Sequence, residues 1–166
     1  MADLKRAKRG FTLVEMLVTL AILAVLATAI MPIAKTAVKR EKEIELERNL
    51  RLIREAIDAY KKLADEKKIE VKEDSEGYPL DLETLVKGVE VKADSGDSAG
   101  GGRKSSQRII KFLRRIPRDP MTNSTDWGLR SYQDEPDSSV WGGENVYDIY
   151  TKSNATALDG TKYKDW

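Results

Sequence analysis

The sequence predicts an α+β fold in which a long N-terminal helix packs its second half on a small antiparallel β-sheet. Three observations lead to this prediction. An uncharged apolar run extends from Met16 to Ala34, an amphipathic pattern continues the helix to about Lys68, and two short strand-like segments separated by turn residues follow Pro117. A chain of 166 residues leaves room for one modest domain beyond the apolar run.

Composition excludes several classes of function. The chain has 29 basic and 28 acidic residues, so its net charge of +1 gives no reason to expect nucleic acid as a partner. It has no cysteine and no histidine, which excludes disulfides, cysteine-containing zinc sites, thiol nucleophiles and histidine-dependent triads. Nothing in the sequence fixes two carboxylates across a cleft, so we predict a protein that is not an enzyme. An anchored periplasmic enzyme or solute-binding domain is the alternative from another class.

The apolar run is long enough to cross a membrane. About 20 apolar residues span the roughly 30 Å of a bilayer core. Lys5, Arg6, Lys8 and Arg9 precede the run, and the positive-inside rule predicts that this short leader stays cytoplasmic while the long C-terminal part is translocated. An ordinary signal peptide is the alternative, although its apolar core is normally shorter, at about 7 to 15 residues.

The residues around Gly10 carry the most specific signal in the chain. The segment Lys8-Arg9-Gly10-Phe11-Thr12-Leu13-Val14-Glu15 resembles the processing site of the type IV pilin and pseudopilin superfamily. The resemblance implies that a prepilin peptidase removes residues 1–10 and methylates Phe11. Residues 11–34 would then form the transmembrane and assembly helix, and residues 35–166 a periplasmic pilin-like domain.

Glu15 is an ionisable residue at the start of a membrane helix. Such a group costs roughly 2.5 to 3.5 kcal/mol at the bilayer centre and less near the interface, so it calls for a partner. Cleavage after Gly10 creates an ammonium group on Phe11, and the resemblance implies that Glu15 of one subunit pairs with this group of its neighbour. The alternative is that Glu15 lies among lipid headgroups without a specific role.

Pro32 lies near the end of the apolar run. Its missing N–H and its ring weaken or kink a helix. The resemblance implies that local loosening at this depth assists fibre packing, and the alternative is a tolerated membrane-helix proline without functional weight.

The amphipathic half of the helix has a regular apolar stripe with spacings of three and four residues. Its members are Leu46, Leu50, Ile53, Ile57, Tyr60 and Ala64. We expect this stripe to pack on the sheet and the charged faces, which include Arg54, to be solvated. The alternating charges from Lys39 to Glu47 are either solvated or form ion pairs between subunits.

Further elements follow the long helix. We expect a short helix from Leu80 to Lys87 that ends at Gly88, and a variable loop at about residues 92–107. Strands are predicted around 128–133 and 146–151, with a third near 88–92. The segment Ile116-Pro117-Arg118-Asp119-Pro120 resembles the turn that precedes the sheet in the major pseudopilin of type II secretion, so residues 117–166 should form the C-terminal sheet and loop.

The C-terminal loop resembles that of major pseudopilins, many of which hold a calcium ion there. Calcium takes six to eight oxygen ligands. The resemblance implies a set made of two carboxylates, two hydroxyls and a backbone carbonyl: Ser153, Leu158, Asp159, Thr161 and Asp165. Lys162 and Lys164 lie within this segment, and a hydrogen-bonded loop without metal is the alternative.

The resemblance as a whole implies a structural pseudopilin of the type II secretion system. Such a subunit polymerises into a periplasmic fibre that drives protein export. Its expected partners are other copies of itself, minor pseudopilins, the prepilin peptidase, the assembly platform and the bacterial inner membrane, which it crosses once. The alternative is a pilin of a type IV pilus for attachment, motility or DNA uptake, but those pilins usually close their C-terminal loop with a cysteine pair.

Overall fold

The computed structural model describes residues 10–92 and 108–166. The chain is α+β, as the sequence predicts, and it divides into two compact units at Arg40 and Glu41. The expected leader falls mostly, and the expected variable loop almost entirely, outside the described residues. The elements, in chain order, are α1 (Leu13–Asp65), α2 (Leu82–Lys87), β1 (Val89–Val91), β2 (Arg108–Ile110), β3 (Gly128–Arg130) and β4 (Asp148–Tyr150), with short 3₁₀ turns at Glu73–Ser75 and Tyr163–Asp165.

The long helix α1 ends slightly before the predicted Lys68. Lys67 adopts a left-handed conformation with φ of 54°. The N–H of Lys67 bonds to the carbonyl of Ala64 at 2.9 Å, and the N–H of Lys68 bonds to the carbonyl of Leu63 at 3.0 Å. This pair of bonds is a Schellman motif, which satisfies the last carbonyls of a helix. A lysine takes the place that glycine usually occupies, which is why the sequence alone does not locate this end.

The short helix α2 has the expected end and a well-defined start. The carboxylate of Asp81 accepts the N–H of Thr84 at 2.6 Å and caps the first turn. Gly88 follows the helix with φ of 85°, a conformation that favours glycine, and an added Cβ there would come within 2.5 Å of the Ile110 carbonyl oxygen. Gly88 therefore ends α2, as predicted.

The strands form two separate pairs rather than one sheet. β1 pairs antiparallel with β2, and β3 pairs antiparallel with β4, with Leu129 opposite Ile149. The predicted third strand is present as β1, but its partner is β2, which the sequence did not predict. After β2, the N–H groups of Phe112 and Leu113 both bond to the carbonyl of Leu85 in α2. This attachment holds the end of β2 beside α2.

The core of the second unit is built on the predicted apolar stripe of α1. Every member of the stripe is buried, from Leu46 at 0 % exposure to Ala64 at 9 %. Against it pack α2, the chain after β2, and β4. The buried apolar side chains from these parts are Leu82, Leu85, Leu113, Trp127, Val146, Ile149, Ala157 and Tyr163. Burial of this continuous apolar surface is the main stabilising contribution to the unit.

Candidate functional site

The start of α1 is a capped helix end. The hydroxyl of Thr12 accepts the N–H of Glu15 at 3.2 Å, and the carbonyl of Thr12 accepts the N–H of Met16 at 3.1 Å. Thr12-Leu13-Val14-Glu15 has the Thr-x-x-Glu pattern of a capping box, of which this bond is one half. Phe11 lies just outside the helix and is 77 % exposed, and Gly10 precedes it in an exposed irregular segment. The structure therefore presents the Gly10–Phe11 bond outside regular structure, directly before the helix cap.

Glu15 stands in the first turn of α1 and is exposed. A carboxylate there interacts favourably with the positive end of the helix dipole. The observed capping bond uses the backbone N–H of Glu15, and the Thr-x-x-Glu pattern also puts a carboxylate in the position from which a capping box is completed. Any test of the role of Glu15 in assembly must therefore separate loss of its charge from loss of a capping side chain.

The first half of α1 is apolar around its whole circumference. Its most apolar 18-residue window has a mean hydropathy of 2.5 and none of it is buried within the described structure. The hydroxyls of Thr19 and Thr28 bond to the carbonyls of Met16 and Val25 on the same helix, at 2.9 and 2.7 Å. Polar groups on this surface thus have partners within the helix, as hydrocarbon requires. Among the described residues, α1 is the one helix long and apolar enough to span a membrane, and Pro32 lies within it.

The C-terminal loop is closed by a buried carboxylate of α1. Glu43 is 2 % exposed, and its Oε1 accepts the N–H of Leu158 at 2.8 Å and the hydroxyl of Tyr163 at 2.9 Å. Burial, and then the hydrogen bond to Glu43 and its charge, raise the pKa of Tyr163 to about 12. The alternating charges from Lys39 to Glu47 predict a solvated or intersubunit Glu43, and the structure corrects this, because Glu43 is buried and hydrogen-bonded within its own chain.

A second side chain of α1 holds the chain terminus. The guanidinium of Arg54 bonds to both carboxylate oxygens of Asp148, at 2.7 and 3.3 Å, and to the carbonyls of Ile149 and Trp166, at 3.2 and 2.8 Å. The side chain of Arg54 is 37 % exposed, but its guanidinium makes these four bonds within the chain, so Arg54 is not the freely solvated charge that the sequence predicts. Together, Glu43 and Arg54 attach the C-terminal segment to α1.

The Pro117 to Pro120 turn is a third buried polar centre. The carboxylate of Asp119 is fully buried and accepts the N–H of Met121 and the hydroxyls of Thr122 and Thr151. The bond from Thr151 joins this turn to the end of β4. A buried carboxylate with three donors fixes the turn strongly, since each lost partner would leave a buried polar group unsatisfied.

Two of the predicted calcium ligands, Asp159 and Thr161, are hydrogen-bonded to each other. Oδ1 of Asp159 accepts the N–H and hydroxyl of Thr161 at 2.9 and 2.7 Å, and Thr161 in turn accepts the indole N–H of Trp166 at 2.8 Å. The N–H of Ser153 bonds instead to the hydroxyl of Thr151, in the stretch that follows β4, and Leu158 bonds through its N–H to Glu43. Within residues 10–92 and 108–166, no three acidic or histidine side chains are grouped so as to hold a metal. The predicted set has only two carboxylates among its oxygen ligands, and calcium stays a prediction from the resemblance.

Comparison with protein families identifies the N-terminal segment. Residues 5–31 match the prokaryotic N-terminal methylation motif, and the match includes Gly10, Phe11 and Glu15. The chain carries the signal of type IV pilins and pseudopilins. This signal implies processing by a prepilin peptidase and polymerisation, and with the apolar helix it indicates a membrane-anchored, pilin-like protein. Comparisons with curated proteins and with solved structures found no match.

Proposed function

We propose that this protein is a structural pseudopilin of a type II secretion system. The observation that carries the proposal is the methylation motif placed directly on the cap of an apolar helix, with Glu15 in the first turn. Three further features favour a pseudopilin over a true pilin: the absence of cysteine, the Pro117 to Pro120 turn, and the C-terminal closure. The expected partners are copies of the same chain, minor pseudopilins and the inner-membrane assembly platform.

The orientation follows from charge. The basic leader stays cytoplasmic, where the peptidase cuts, and the unit from Glu41 to Trp166 lies in the periplasm. Removal of the leader leaves a positive Phe11 ammonium at the start of a helix that already has Glu15 in its first turn. In the fibre, the desolvated Glu15 carboxylate of one subunit is offset by the ammonium of the next. Pro32 loosens the helix locally as subunits pack.

Two substitutions at Glu15 separate the two roles of this residue. Glu15→Leu removes both the charge and the side chain of the capping pattern, whereas Glu15→Gln keeps a capping side chain of the same size and removes only the charge. Both variants should insert and be cleaved normally, because neither touches the Gly10–Phe11 bond. Both should fail to form fibres, measured by electron microscopy and by the amount of sedimenting polymer. Fibres from the Gln variant alone would assign Glu15 to the helix cap and refute the ion pair.

Deletion of the gene distinguishes the secretion system from a pilus. Loss of exported proteins from the culture medium, with attachment, motility and DNA uptake unchanged, is the expected result. Restoration by the wild-type gene but not by Glu15→Leu would tie export to polymerisation. Normal export together with loss of surface pili would instead establish the type IV pilus alternative.

A further inference from the structure

A wide groove runs along one flank of α1 in the unit Glu41–Trp166. It lies between α1 and residues 111–118, and its volume is about 1220 Å³. Ile44 and Leu52 form apolar ground on the α1 side and are 55 % and 42 % exposed. We call this feature the basic groove, because its other side carries four exposed cations: Lys111, Arg114, Arg115 and Arg118.

The cations of the basic groove lack partners of opposite charge in the described chain. None of the four forms an ion pair within 4.0 Å among residues 10–92 and 108–166, and the guanidinium of Arg118 donates a hydrogen bond of 3.3 Å to the side chain of Asn123, a neutral residue. Acidic residues that line the groove, Glu41, Glu45 and Glu55, lie on the α1 side. The 111–118 side is thus an exposed positive surface beside exposed apolar side chains. Such a surface is suited to a partner with acidic residues around an apolar tip.

The same unit has a loop with this complementary character. Residues 133–144, here called the acidic loop, contain four acids and no lysine or arginine. Glu135, Asp137 and Glu144 are exposed, and Val140 and Trp141 at the tip are 76 % and 38 % exposed. Lys162 and Lys164 line a cleft together with Asp137, but among the described residues none of these groups forms an ion pair within 4.0 Å.

The acidic loop is held in shape by its own hydrogen bonds. Oδ2 of Asp134 accepts the N–H groups of Ser131 and Gly142 at 2.7 and 3.1 Å. The indole N–H of Trp141 bonds to the carbonyl of Asn145 at 2.8 Å. A preformed loop loses less conformational entropy when it binds than a mobile one does. The tip is therefore ready to dock without rearrangement.

The two surfaces lie on different flanks of α1. On the groove side, the side chain of Asn49 bonds to the carbonyl of Arg118 at 3.0 Å. On the other side, the side chain of Arg54 bonds to the carbonyl of Trp166 at 2.8 Å. Five residues at about 100° each place Asn49 and Arg54 roughly 140° apart around the helix. The acidic loop belongs to the Trp166 side, since Asp137 and Ser138 share a cleft with Trp166. The loop and the groove therefore lie on different sides of α1, which favours a contact between two molecules over one within a single molecule.

We infer that the acidic loop of one copy docks into the basic groove of the next copy in the fibre. Val140 and Trp141 would cover Ile44 and Leu52, while the loop acids would face the cations of residues 111–118. Contact between two different surfaces is heterologous, and repetition of such a contact builds an open helical filament instead of a closed dimer. The inference rests on the proposed polymerisation and specifies which surfaces of the periplasmic unit meet.

Cysteine cross-linking of the full-length chain in its own cell tests the contact. The chain has no natural cysteine, so Leu52→Cys with Val140→Cys places one thiol on each proposed surface. Mild oxidation of fibres from this double variant should give a ladder of covalent oligomers. Each single variant should give no species beyond a dimer. Val71→Cys with Val140→Cys is the matched control pair, because Val71 is similarly exposed, at 39 %, but lies outside the groove.

Charge reversal tests the electrostatic part. Arg114→Glu with Arg115→Glu should lower the amount of cross-linked ladder at least tenfold, and so should Glu135→Lys with Asp137→Lys. Combining all four changes should restore most of it, because the charges then match again in reverse. Lys72→Glu, an exposed cation outside the groove, should leave the ladder unchanged.

The outcomes separate this contact from polymerisation itself. Normal fibres that give no ladder and tolerate both charge reversals would overturn the inference, while failure of Glu15→Leu to polymerise would leave the proposed function standing. Normal fibres combined with loss of export in the groove variant would assign the groove to another protein and also overturn the inference. If the unmodified chain forms no fibre, the proposed function fails and the inference fails with it.

Discussion

Loss of the Glu43 carboxylate should destabilise the C-terminal loop more than any other single change to the exposed or charged residues of α1. Glu43→Ala leaves two donors without an acceptor, the N–H of Leu158 and the hydroxyl of Tyr163. An unsatisfied buried donor costs about 1 to 3 kcal/mol. The hydroxyl of Tyr163 is buried, whereas Leu158 is 43 % exposed and its N–H can bond to water, so the free energy of unfolding should fall by roughly 1 to 3 kcal/mol. That is a large part of the stability of a small domain, which is about 5 to 15 kcal/mol. Tyr163→Phe removes one donor and should cost about half as much.

Urea unfolding of a soluble fragment that begins at Lys35 measures these differences, through the midpoint at constant slope. Glu43→Gln keeps an acceptor oxygen and should lose less stability than Glu43→Ala. Glu47→Ala is the matched control, since Glu47 lies one turn further along α1 and is exposed, and it should change the free energy by less than about 0.5 kcal/mol. If Glu43→Ala behaved like Glu47→Ala, the closure of the loop by Glu43 would be refuted.

The remaining predictions concern pH, calcium and processing. The pKa of Tyr163 is about 12 in the folded state against 10.0 for an ordinary tyrosine. The free energy of unfolding therefore has its full value below pH 10 and should fall by roughly 3 kcal/mol as the pH rises through 12. Alkaline unfolding of Tyr163→Phe should lack this component. The resemblance predicts that calcium raises the melting temperature of the fragment. Asp159→Asn keeps the oxygen that bonds to Thr161 and should abolish this rise. Equal thermal unfolding curves with calcium and with chelator would exclude the ion. Gly10→Leu should leave the precursor uncut in the membrane, seen as a larger band on immunoblots, and normal processing would refute Gly10 as the cleavage position.

Hydrophobic periodicity predicts the core of this protein because burial depends on which helix face a side chain occupies. The stripe from Leu46 to Ala64 is buried throughout. The same periodicity contains the signal for Glu43, which lies three residues before Leu46 and so continues the stripe by one position. A carboxylate on an apolar stripe indicates a buried, hydrogen-bonded group, whereas reading it as part of an alternating charge run conceals this.

Hydrophobic periodicity cannot predict contacts between residues that are distant in sequence. Arg54 lies on a face that looks solvated, and its contacts with Asp148 and Trp166 depend on where the last residues of the chain return to α1. β2 was missed for a similar reason, because three residues beside an apolar stretch give no clear alternation. At the N-terminus the methylation motif is local, so the segment that contains Gly10, Phe11 and Glu15 is recognised from sequence. The hydrogen bond from the N–H of Glu15 to the hydroxyl of Thr12 shows only in the structure.

Mass spectrometry of the N-terminal peptide from purified fibres tests the central claim most directly. The account predicts that the polymerised protein begins at Phe11 and carries a methyl group on its α-amino nitrogen. This single result would establish cleavage after Gly10, methylation and incorporation into the fibre together. Fibre-associated chains that retain residues 1–10, or that begin near Ala27 or Ala29 as after ordinary signal-peptide cleavage, would contradict it.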